Sequence, residues 1–68
     1  MTCYVLFDEE NKQIAVIPAE RSGHSDLNAI AKIMQFVPKR YPGKFTIEFF
    51  NASADIGYLI MEIDWKGN

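Results

Sequence analysis

SDLNAIAKIMQFV, residues 25–37, decides the fold, because its apolar residues recur with the period of a helix. At about 100° per residue, Leu27, Ile30, Ala31, Met34 and Val37 fall on one face, and Ala29, Ile33 and Phe36 carry the apolar surface further round. Beyond Asp26 only Asn28, Lys32 and Gln35 are polar. A helix resting on one sheet needs an apolar arc a little over roughly 100° wide, and this one approaches roughly 220°. The pattern assigns Leu27, Ile30, Met34 and Val37 to the core and leaves Ala29, Ile33 and Phe36 for a second molecule. Ser25 is the N-cap candidate, with Asp26 at the positive end of the helix dipole. Pro38 has no N–H and clashes with the preceding turn, so the helix stops near Phe36 or Val37.

Strand patterns flank this helix on both sides. CYVLF, residues 3–7, is an apolar run ending in the polar turn Asp8–Lys12, and Gln13–Ile17 resumes it until Pro18. These two segments predict a hairpin. After the helix comes a basic turn, Lys39-Arg40-Tyr41-Pro42-Gly43, and then Lys44–Phe50 alternates, with Phe45, Ile47 and Phe49 against Thr46, Glu48 and Phe50. A small-residue loop, Asn51–Asp55, leads to a second alternating run from Tyr58 to Trp65. The order is ββαββ: an α+β domain with a four-stranded, mainly antiparallel sheet and one helix packed on one face. Alternation places Phe45, Ile47, Phe49, Leu59, Met61 and Ile63 on the helix side. Thr46, Glu48, Phe50, Tyr58, Ile60, Glu62 and Asp64 fall on the other, joined either by Tyr4 and Leu6 or by Cys3, Val5 and Phe7. Strand order stays open at this point.

Residues 1–68 make a single domain, since a chain this short cannot assemble two cores. A hydrophobic fraction of 49% with 24% charged residues excludes a disordered chain. Below roughly 70 to 80 residues one core rarely supplies more than about 3 to 5 kcal/mol, so small domains often add disulfides, a metal or a second subunit. Cys3 is the single cysteine and His24 the single histidine, which excludes an internal disulfide and a Cys/His zinc site. No metal and no cofactor is expected, and oligomerisation remains, with a homodimer as the simplest form. The net charge of −2 disfavours nucleic acid and anionic membranes as long-range partners. No run approaches the roughly 20 apolar residues that cross a bilayer. TCYVLF follows Met1 without a basic leader, so a cytoplasmic location is expected.

Motifs with a known mechanism are missing. The glycines at 23, 43, 57 and 67 are scattered, which excludes a phosphate loop or a dinucleotide fingerprint. An enzyme would have to use the loop 20–26, with His24 as base, Ser22 or Ser25 as nucleophile and Asp26 or Glu20 to orient it. Residues so close in sequence seldom converge on one reacting atom, and a structural loop is the better reading. The same loop offers Arg21, Ser22, His24 and Ser25 to an anion at the helix N-terminus, with Asp26 competing for the same field. Lys39, Arg40 and Lys44 around Tyr41, with aromatic residues on the sheet, form a nucleic-acid alternative. Glu48, Glu62 and Asp64 oppose it.

Surplus apolar surface favours a protein–protein interaction module, a homodimer that acts as a regulator or inhibitor by binding another protein. Two surfaces compete for that role: the helix flank at Ala29, Ile33 and Phe36, and the open sheet face at Tyr4, Phe50, Tyr58 and Ile60.

Overall fold

The computed structural model describes residues 2–19, 26–51, 53 and 55–67. It has the expected ββαββ order, with β1 at Thr2–Asp8, β2 at Gln13–Pro18, α1 at Leu27–Met34, β3 at Gly43–Asn51 and β4 at Ile56–Trp65. The four strands form one sheet in the order β2-β1-β3-β4, and each neighbouring pair is antiparallel. The two hairpins therefore meet along β1 and β3, and the connection from β2 through α1 to β3 passes over β1. In the first hairpin turn, Asp8 Oδ1 accepts the N–H groups of Glu10 and Lys12, both at 2.9 Å. Asn11 closes this turn at φ 62°, a left-handed conformation that asparagine tolerates well.

On the helix side of the sheet, Tyr4, Leu6, Phe45, Ile47 and Phe49 meet Ala29, Ile30, Ile33 and Val37 in one buried cluster. The Tyr4 and Phe49 rings pack edge to face with centroids 5.2 Å apart, a favoured aromatic geometry. The helix is rotated from the arrangement that the sequence pattern predicts. Ile33 is 0% exposed and Ala29 is equally buried, whereas Leu27 is 74% exposed and Met34 also reaches solvent. Ala29 and Ile33 are thus core residues and do not belong to an outward flank. Two features account for the rotation. Asp26 is buried as the N-cap, its carboxylate accepting the Ala29 N–H at 3.2 Å and its own N–H donating to the Tyr4 hydroxyl at 3.4 Å. Ala29, with the smallest side chain on that face, lets the helix approach β1 and β2, on which it mainly packs.

Helix boundaries move as well. Asp26, not Ser25, is the cap, and the α-helix ends at Met34 with Gln35 as C-cap. Pro38 then sits early in a single 3₁₀ turn, Val37–Lys39. There its missing N–H breaks no hydrogen bond.

Both edge strands carry one residue more than their neighbours. In β2, Ala15 pairs with Leu6 and Gln13 with Phe7, leaving Ile14 over. In β4, Met61 pairs with Ile47 and Leu59 with Glu48, leaving Ile60 over. A β-bulge of this kind turns the residues beyond it to the opposite face. Leu59 consequently lies outward beside Glu48, Tyr58 pairs with the core-facing Phe49, and Ile60 packs against the core with Met61. The expected placement of Leu59 inward with Tyr58 and Ile60 on the open face is corrected for all three residues. Tyr4 is corrected too: it is fully buried on the helix side.

A candidate interaction face

Strand register defines the surface that the helix leaves uncovered. Its rows run Pro18–Cys3–Phe50–Gly57, then Val16–Val5–Glu48–Leu59, then Gln13–Phe7–Thr46–Glu62. Lys44 and Asp64 form the last pair on this face. Seven of these positions, Pro18, Cys3, Phe50, Val16, Val5, Leu59 and Phe7, are apolar, and no described element covers them. Val5 is only 6% exposed although it stands outside the core cluster, so its neighbours on the same face close around it. Leu59 at 57% and Val16 at 44% flank it in the open. Val5, Phe7, Gln13, Glu48 and Phe50 border a shallow depression of about 160 Å³.

Glu48 is the single charge in the two apolar rows. The missing side chain at Gly57 gives it somewhere to go: a Cβ there would stand 3.0 Å from Glu48 Oε1 and 3.5 Å from the Phe50 ring. The carboxylate accordingly lies toward the β4 edge, and its aliphatic stem joins the apolar rows. The other charges gather at one end. There Lys66 bridges Asp64 at 2.8 Å. That hydrogen bond, then the charge of the ammonium, holds the Asp64 carboxyl below its ordinary range, with the Lys44 charge adding a smaller pull in the same direction and slight desolvation opposing.

Of the sheet residues singled out from the sequence, Phe50 lies on this face and Tyr4, Tyr58 and Ile60 do not. Val5 and Phe7 belong to the alternative that the sequence left open, and Val16 and Leu59 were missed. Once β1 and β3 are known to pair through Leu6 and Ile47, the face of Val5 and Phe7 follows. Leu59 needs the bulge.

The helix flank is also redrawn. Its outward apolar residues are Leu27, Ala31 and Met34, which share an arc of about 60°, together with Phe36. Of the predicted flank residues only Phe36 is exposed, with Lys39 Nζ 6.0 Å from its ring centroid.

The candidate cations do not form one patch. Arg40 shares a cleft of about 310 Å³ with Asp8, Glu9, Glu10, Lys12, Tyr41 and Pro42, Lys39 lies over Phe36, and Lys44 pairs across strands with Asp64. Acidic neighbours thus meet two of the three, and phosphate would face carboxylates at contact distance. Arg21, Ser22, His24 and Ser25 lie outside the described residues. Among the described residues no group of three or more His, Cys, Asp or Glu side chains is placed to hold a metal ion, and no helix is long and apolar enough to cross a membrane. Comparison of the chain with protein-family models, curated proteins and solved structures finds no match.

Proposed function

We propose that this domain is a protein-interaction module whose docking surface is the open sheet face centred on Val5. The observation that supports this most directly is an apolar sheet surface that no described element covers, with α1 packed on the opposite side. Contiguous apolar surface beyond a few hundred Å² commonly marks an interaction site. An apolar centre with charges gathered at the rim is also the usual anatomy of an interface. The outward helix residues Leu27, Ala31 and Met34 form a narrower strip and rank second.

Site-specific photo-cross-linking tests the reading. With a photoreactive residue at position 16 in the intact chain, the expected product is a covalent adduct larger by a whole polypeptide. A photoreactive residue at Ala31 serves as the comparison. Cross-linking from position 31 with none from position 16 would refute the assignment of the face.

A further inference from the structure

We infer that the free edge of β4 pairs with β4 of a second copy, antiparallel about a two-fold axis, joining two four-stranded sheets into one of eight strands. This edge is a separate surface from the open face, and the inference goes beyond the docking reading above. β4 is the longest strand and has β3 as its one neighbour in the sheet. Its first four residues, Ile56, Gly57, Tyr58 and Leu59, are all exposed, the three side chains at 42%, 46% and 57%. A sheet edge offers a row of N–H and C=O groups to any strand that reaches it, and proteins blunt such edges with proline, charge or shortness. β2, the other edge, is six residues long and ends in Pro18. Residues 56–61 of β4 hold neither proline nor charge, and Glu62 is the first charged residue of the strand. The bulge at Ile60 confines the flat part of the edge to the segment before it.

Two observations make a second copy the occupant. A flexible peptide loses backbone freedom on becoming a strand, whereas β4 is already extended and held by β3 along its whole length. The charges then select the segment that pairs. A two-fold register centred on Tyr58 sets Tyr58 against Tyr58, Gly57 against Leu59 and Ile56 against Ile60, so no carboxylate of the strand faces another. A register centred on Ile63, beyond the bulge, sets Glu62 against Asp64, and like charges opposite each other repel. Cross-strand neighbours stand about 5 Å apart, so Leu59 of the second copy comes beside the Glu48 carboxylate that lies over Gly57, not into its place. Pairing β4 with β2 instead would leave an edge open at each end and run on as a filament. Pairing β4 with β4 closes as a dimer with the short, proline-ended β2 outermost on both sides.

Five residues from each copy make a contact below standard interface size, so a weak dimer is expected, filling as the concentration approaches about 1 mM. Amide NMR, hydrogen exchange and translational diffusion of the intact protein from about 20 µM to about 2 mM test it. The expected result is diffusion that slows toward the dimer value, with shifts and exchange rates that change with concentration for the amides of residues 56–60. Tyr58→Lys sets two cations opposite each other and should weaken the association at least about fivefold, as should Ile56→Lys. Val16→Lys, on the open face, should leave it unchanged. All three positions are about half exposed, and the amide spectrum reports that each variant folds. A wild-type protein that stays monomeric throughout, or an association that both edge variants leave in place, overturns the inference without touching the open face. Association that Val16→Lys abolishes and the edge variants do not also overturns it and moves the contact to that face. Species that grow beyond a dimer overturn the two-fold pairing.

Discussion

Replacing Ile33 by valine should destabilise the domain more than replacing Leu27 by alanine, although the second change removes more atoms. Ile33 is 0% exposed between the helix and the sheet, and Leu27 is 74% exposed. Removing one buried methylene by Ile→Val typically costs about 0.5 to 1.5 kcal/mol, and the complete burial of Ile33 places it in the upper half of that range. An exposed substitution usually stays within about 0.5 kcal/mol, and alanine is the better helix former at position 27. For a domain of this size about 1 kcal/mol lowers the melting temperature by roughly 4–8 °C. Urea and thermal unfolding, followed by circular dichroism at one fixed protein concentration, read the difference directly. A larger loss from Leu27→Ala than from Ile33→Val would refute the helix orientation and with it the division between core and outward residues.

Asp26→Ala removes the acceptor that caps the Ala29 N–H and should cost about 0.5 to 2 kcal/mol. It should appear as a lower urea midpoint with an unchanged slope; a midpoint equal to that of the wild type would refute the cap. Lys66→Ala should raise the Asp64 pKa toward the ordinary carboxylate value, read by NMR titration of the carboxyl carbon. Because the folded-state pKa is lowered, any stability the pair adds is present above the ordinary carboxylate pKa and lost as pH falls through the lowered value. With both side chains in solvent the pair is screened, so the unfolding midpoint at neutral pH should not move. An unshifted Asp64 titration would refute the pairing.

Element order was legible from the sequence because β3 and much of β4 alternate cleanly and the prolines at 18 and 38 punctuate the chain. Helix orientation was not. With apolar residues around most of the cylinder, periodicity alone selects no face, and the orientation goes with local features: a buried Asp26 cap and a small, fully buried Ala29. The bulges were hidden for a related reason. Leu59-Ile60-Met61 is apolar at each position, so an inserted residue leaves no break in the pattern. Glu48 and Glu62 face outward with or without the extra residue, so the charges carry no trace of it either. For the candidate face, Phe50 could be found from its own strand, whereas Val5 and Phe7 required the strand order.

The central seam between β1 and β3 joins segments far apart in sequence, pairing Thr2 with Asn51 and Asp8 with Phe45. Each hairpin can close locally around a short turn, within about 1 to 10 µs. The second hairpin has no covering layer of its own, because the helix packs mainly on β1 and β2, and the core closes only when Phe45, Ile47 and Phe49 join Tyr4 and Leu6. Closing so long a loop before these contacts are rewarded makes the meeting of the hairpins the slow step of folding. On a ribosome the first hairpin and the helix emerge before β3 and β4, and they can pack on each other while the part of their core that Phe45, Ile47 and Phe49 fill stays open.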